Sequence, residues 1–288
     1  MDRFHEPGKD WGTKAFTATE IALNLDPASA EAYAVRGQTF FSPAKDWAWR
    51  NAMADERRAL ELNPRLEEAH EVISYIYWHL GLLDEAVAEA LVALRENPQS
   101  NRARALLGFS LIDLGRPEEA LPYIKDLPKS YPGWGRGWLE GLCFFYLGRT
   151  NEAAQALENL YHPDQVETVV IPSLQAMIAA RAGRKDEALE KIQLASAGPT
   201  NLAHYHHIAY QIAVAYALMN EKKLALEWLK RSADNGCPCY RYFEIDPTLD
   251  NLRHDSGFIS FMNQEKGNWE RRKADLFGSA SAVKQTGR

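Results

Sequence analysis

Two short stretches of this 288-residue chain carry side chains equipped for chemistry. The first is His204-Tyr205-His206-His207. Imidazoles three positions apart share a helix face, so His204 and His207, with His206 beside them, offer nitrogen donors suited to a transition metal. A structural site needs further ligands, and the neighbouring sequence supplies no obvious third. The plainer alternative is a polar start to the apolar helix that runs on to Met219. The second stretch is Cys237-Pro238-Cys239. One intervening residue is a poor spacing for a disulfide or a soft metal, and two ordinary loop thiols, one of them buried, is the simpler reading. The sequence contains no phosphate-cradling glycine loop, paired-cysteine zinc pattern, nucleophile elbow or metalloprotease motif. It points away from an enzyme, with no catalytic residues, cofactor or metal expected.

What must position these residues is a repeat. Gly81, Gly115, Gly148 and Gly183 recur at intervals of 34, 33 and 35 residues, each followed by an acid and an alanine, as in Asp84-Glu85-Ala86 and Glu118-Glu119-Ala120. Asn220 with Lys223-Leu224-Ala225 is a fifth, weaker copy. Pro27, Pro64, Pro98 and Pro132 keep a similar period. Within Glu67 to Ser100, apolar residues recur at helical spacing in two segments separated by Gly81, so each period is helix, turn, helix. Gly81 suits the left-handed residue that ends the first helix, the acids suit the start of the second, and Pro98 prevents its continuation. Small residues hold a fixed register too: Ser74, Gly108, Gly141, Ala176 and Ala213 in the first helices, and Ala86, Ala120, Ala153, Ala188 and Ala225 in the second. They allow paired helices to approach closely. Alanine and leucine, 40 and 32 residues, make a quarter of the chain and agree with an all-helical reading.

On these residues the chain resembles a tetratricopeptide repeat array. One period shows His70, Ile73-Ser74, Tyr77, Ala86, Ala90, Ala93 and Pro98 at the family's signature places; the next shows Arg104, Leu107-Gly108, Leu111, Ala120, Ile124, Leu127 and Pro132. The family's usual first Trp is missing. The resemblance implies an all-α, right-handed solenoid of about six repeats over 30–236, with periods at 30–66, 67–100, 101–133, 134–168, 169–205 and 206–236. Residues 1–29 form an N-terminal segment with half a repeat, because 14–25 reads as a second helix whose first is absent. An array that opens this way leaves an apolar face uncapped, so either the chain is shortened from a larger protein or a partner covers that end.

The 30–66 period has a longer turn, around Phe41-Ser42-Pro43-Ala44-Lys45-Asp46-Trp47-Ala48-Trp49. After 236 the repeat stops. Residues 237–277 read as a C-terminal capping segment, with a helix start at Asp246-Pro247 and a stripe of Leu249, Leu252, Phe258, Phe261 and Met262; 278–288, rich in Ser, Ala and Gly, read as a disordered tail. The long turn and this end also resemble arrays found downstream of bacterial winged-helix regulators, nucleotide cyclases and serine/threonine kinases, none of whose effector domains is present.

In such arrays the first helices line a concave groove. Carrying the family's groove positions across places Tyr75, Trp78, Phe109, Trp138, Phe145, Tyr146 and Tyr210 on that face, together with Phe41 and His79. Large aromatic side chains suit an interface. The carboxylate clamp of chaperone-binding arrays needs a cluster of donors, whereas only Arg102 and Arg181 are present, beside Glu68, Glu71 and Asp113. An apolar peptide with a basic residue opposite Glu68 and Glu71 fits better.

A net charge of −6 gives no footprint for nucleic acid or an anionic membrane. The most membrane-like segment, Ile208 to Met219, is 12 residues, short of the roughly 20 a span requires. Three cysteines, Cys143, Cys237 and Cys239, and an opening without the apolar stretch of a secretory signal suggest a cytoplasmic protein. The function expected is a non-catalytic scaffold binding a protein or peptide in an aromatic groove. The alternative is the sensory or regulatory arm of a bacterial signalling or transcription-regulatory system whose effector is absent from this chain.

Overall fold

A computed structural model describes residues 11–131, 135–158, 167–198 and 205–283. Among these residues the secondary structure is helical throughout. A lone helix α1 (Trp11–Leu25) precedes six helical hairpins: α2 (Ala30–Phe40) with α3 (Trp49–Leu62), α4 (Glu67–His79) with α5 (Leu83–Glu96), α6 (Asn101–Asp113) with α7 (Pro117–Lys125), α8 (Gly135–Tyr146) with α9 (Thr150–Glu158), α10 (Glu167–Arg181) with α11 (Lys185–Ser196), and α12 (Tyr205–Leu218) with α13 (Lys222–Asp234). The first helix of each hairpin touches the first helix of the next, and each second helix packs against the first helix that follows it. That is the arrangement of a tetratricopeptide-like solenoid, with α2, α4, α6, α8, α10 and α12 along the inner side.

The glycine period has its expected cause. Gly81, Gly115, Gly148 and Gly183 all sit at φ between 70° and 74°, and Asn220 at 61° takes the same role in the last hairpin. After each, the next amide reaches back five residues to close the helix end: Leu82 to Tyr77, Arg116 to Leu111, Arg149 to Phe144, Arg184 to Ala179 and Glu221 to Tyr216, at 2.8–2.9 Å. The alanines at the helix crossings, Ala86, Ala120, Ala153, Ala188 and Ala225, are all 0% exposed. Their partners are as small as the register requires. Ser74 Oγ donates to Ala86 O at 2.8 Å, and a Cβ on Gly108 would lie 2.9 Å from Ile124. Enlarging such a position costs about 1–3 kcal/mol.

The extra length of the first hairpin lies in its turn, where a 3-10 segment (Pro43–Lys45) is followed by Asp46 and Trp47 at φ 50° and 52°. At the open end, α1 leaves Leu25 and Ile21 exposed.

The C-terminal segment, expected as a cap, continues for three elements past the last hairpin. It forms α14 (Tyr240–Ile245), a 3-10 segment (Pro247–Leu252) and a 28-residue helix, α15 (Ser256–Val283). Asp246-Pro247 starts the 3-10 segment rather than an α-helix, with the Asp246 side chain accepting from Thr248 N at 2.7 Å. Leu249, Leu252, Phe258 and Phe261 are buried as one stripe, although they span two elements. Helix α15 begins against α13, where a Cβ on Gly257 would meet Leu226, then runs back to the start of the array. There Trp269 Nε1 donates to Gly81 O at 2.9 Å, Arg57 donates to Leu276 O at 2.8 Å, and Arg50 pairs with Asp275. The curvature summed over six hairpins brings the last repeat beside the first, so the tail spans the opening instead of covering only the far end. The helix continues through 278–283, the start of the stretch expected to be disordered; 284–288 lie outside the described residues.

Candidate functional site

The seven aromatic residues placed on the inner face come from four inner helices, α4, α6, α8 and α12. They form a nearly continuous series of ring contacts: Tyr75 to Trp78 at 6.2 Å, Trp78 stacked on Phe109 at 4.6 Å, Phe109 to Trp138 at 5.8 Å, and Phe145 to Tyr146 at 5.2 Å. Tyr146 and Tyr210 are joined through Tyr242 of α14, at 6.5 and 4.4 Å.

The face is not an open groove. Trp78, Trp138, Phe145 and Tyr210 are buried, and Tyr75, Phe109 and Tyr146 half-buried. What covers it is the chain itself. Tyr242 and Phe243 of α14 lie against Tyr210, and the start of α12 closes over Trp78, with His207 stacked on its ring at 4.9 Å. The family's groove positions gave this lining as an expectation, and the periods that carry them stop before the segment that fills the face.

A buried polar network fixes that segment. Asp246, 2% exposed, accepts from the phenol of Tyr146 at 2.8 Å and from that of Tyr210. The Tyr146 and Tyr242 hydroxyls are 2.7 Å apart, and Tyr242 also reaches Asp113, whose other hydrogen-bond donor is Trp78 Nε1 at 2.7 Å. Burial pushes the Asp113 carboxyl up to about 8, with Asp246 nearby adding to the shift and the hydrogen bonds from Trp78 and Tyr242 opposing it. Burial likewise raises the phenols of Tyr146, Tyr210 and Tyr242 well above their ordinary range.

Glu71, Arg102 and Arg181 of the charged groove positions find partners within the chain too. Arg102 lies 3.7 Å from Glu71, which also accepts from Ser100, so the basic partner expected opposite Glu71 is supplied by this chain. Arg181 stacks on Phe145 at 3.7 Å and donates to its carbonyl at 2.7 Å, with burial lowering its pKa.

A second cluster adjoins the aromatic face. Trp47, from the long turn of the first hairpin, is 5.5 Å from His206 and stacks on His79 at 6.0 Å. A Cβ on Gly236 would strike the Trp47 indole. One ring nitrogen from each of His79, His206 and His207 lies within 4.8 Å of the others. His204, the other member of the motif, lies outside the described residues. Both Cys237 and Cys239 are buried free thiols, where one was expected to be. Cys239 sits against Gly81, with its pKa raised by burial.

The residues missed from the sequence are Tyr242, Phe243, Asp246 and Trp47. Tyr240-Arg241-Tyr242-Phe243 before Asp246-Pro247 was the available signal, three rings with no place in the repeat register. No helix among the described residues is long and apolar enough to cross a membrane.

No protein-family model matches the chain, and no curated protein matches its sequence. Solved structures do share its fold. PilW, a widely conserved type IV pilus biogenesis factor, superposes with a TM-score of 0.53 at 19% identity, over 77% of this chain and 97% of PilW. A chain of the Cut9–Hcn1 hetero-tetramer of the APC/C superposes with a TM-score of 0.57 at 12% identity, over 88% of this chain and 52% of that one. The chain has a tetratricopeptide-like fold.

Proposed function

We propose that this chain is a non-catalytic protein-interaction scaffold whose inner face takes a short helical segment of aromatic side chains followed by an Asp-Pro turn. The observation that supports it most is the occupant already there. Helix α14 presents Tyr242 and Phe243 to the aromatic lining, and Asp246 is gripped by Tyr146 and Tyr210. An array face that binds such a segment within its own chain has the chemistry to bind one from another protein. The face combines aromatic area with a few placed donors, the usual composition of an interface anchor. A partner engages it by displacing the internal segment, so binding strength depends on how tightly that segment is held.

The test is affinity purification from the native host with the full chain and with an Asp246→Ala variant, which loosens the internal segment and leaves the receiving phenols of Tyr146 and Tyr210 in place. The inner-face reading expects the same partner in both samples and more of it with the variant. Equal capture places binding on another face, and no specific capture by either form overturns the scaffold reading.

A further inference from the structure

We propose that His79, His206 and His207 form a binding site for one divalent transition metal of the zinc class, clasping the second hairpin to the last.

The argument begins with orientation. His79 Nδ1 is 2.9 Å from the carbonyl of Tyr75, one turn earlier in α4, and His206 Nδ1 is 3.2 Å from the carbonyl of Asn235, at the end of α13. A carbonyl oxygen only accepts, so in both rings Nδ1 carries the hydrogen, and in the neutral ring the lone pair belongs to Nε2. A backbone carbonyl on one imidazole nitrogen, fixing tautomer and ring angle, is the support that metal-binding histidines use.

The spacing of the rings agrees. Zinc–nitrogen bonds of about 2.0–2.1 Å in a tetrahedral site put the centroids of coordinating imidazoles about 5 Å apart. The centroids here are 5.0 Å apart for His79 and His206, 4.3 Å for His206 and His207, and 5.6 Å for His79 and His207. The ring planes meet at 81°, 51° and 70°, so no two of the three rings are stacked on each other. Donor nitrogens within 4.8 Å of one another need a shift of no more than about 1 Å each to reach the separation such bonds require.

The surroundings hold this geometry in place. His79 and His206 are 1% and 0% exposed, and His207 is half-buried. Trp47 stacks on His79, and Trp78 on His207 at 19° between planes. Three neutral nitrogens and no thiolate favour zinc, cobalt or nickel over softer ions, with water completing a four-coordinate shell.

The experiment uses the full, untagged chain, stripped with a chelator and titrated with zinc and with cobalt(II). The proposal expects one equivalent bound per chain, the visible absorption of four-coordinate cobalt, and a melting temperature raised by zinc. His79→Gln, His206→Gln and His207→Gln should each weaken zinc binding at least tenfold, and His70→Gln and His254→Gln should leave it unchanged. A variant at a buried histidine can fail to fold, so zinc is also added to the unsubstituted chain with isotope-labelled histidine. The imidazole resonances of these three residues should shift together, with those of His70 and His254 unmoved. No binding at micromolar zinc, or shifts spread over the other histidines, overturns the proposal.

Discussion

The phenol of Tyr146 on α8 donates a 2.8 Å hydrogen bond to Asp246, 100 residues further along the chain. Tyr210 of α12 donates to the same oxygen, so one carboxyl joins two inner helices to the C-terminal segment. Removing either phenol deletes a bond to a buried acid, worth about 1.5–3 kcal/mol. Tyr146→Phe and Tyr210→Phe should each destabilise the chain by about 1.5–3 kcal/mol in denaturant unfolding. Limited proteolysis should show new cleavage between residues 237 and 255 in both variants, and faster cleavage in the double variant.

Gly81 and Gly183 have the same backbone angle but different neighbours. A Cβ on Gly81 would come 3.1 Å from the Cα of Cys239, whereas a Cβ on Gly183 meets nothing within 4 Å. Both sit at φ 74°. Gly183→Ala should therefore cost about 1 kcal/mol, the left-handed penalty alone. Gly81→Ala should cost more and also loosen α14, detected as faster amide exchange over residues 240–245. Equal losses in the two variants would mean that the backbone contact with Cys239 contributes nothing.

Glu56 in α3 is 0% exposed, and both its carboxyl oxygens are buried with no hydrogen-bond partner among the described residues. Burial raises its pKa well above the ordinary glutamate range. An acid whose pKa is higher folded than unfolded favours the folded state at low pH, and that contribution is lost as pH rises above about 4.3. Unfolding free energy should fall as pH increases above this range. Glu56→Met, which keeps the bulk and removes the titration, should flatten the profile; an unchanged slope assigns the dependence to other buried acids, Asp113 first.

Trp47 is the first hairpin's contact with the last. Trp47→Ala should cost about 2–4 kcal/mol, toward the low end for loss of a large aromatic because the ring is half-buried. Hydrogen exchange should rise at residues 205–210 and 235–239, which lie far away in sequence, with no more than a local change in α4. A change confined to residues 41–49 would refute the closure contact.

Much of this was legible in the sequence. The left-handed positions, the buried alanines and the role of Asn220 all follow from patterns within one period, while the aromatic residues of the inner face came from the family's groove positions. The filling of that face did not, because curvature is a sum over periods and no single period states it. His79 was visible as an inner-face residue and His206-His207 as half of a motif, yet 127 residues separate them and only the closed curve makes them neighbours. Tyr242 and Asp246 lie past the last repeat, where the register that located the other residues no longer applies.

The ion pair between Arg50 and Asp275 spans 225 residues. Repeat arrays ordinarily assemble from neighbouring contacts, fold quickly, and fray from either end. Here the contacts of α15 with the first hairpins form only after every hairpin between them is in place. Closing the curve should therefore add a late, slow phase to refolding. It should also merge the equilibrium unfolding of the hairpins into a single transition, since an end that is tied back has nowhere to begin to fray.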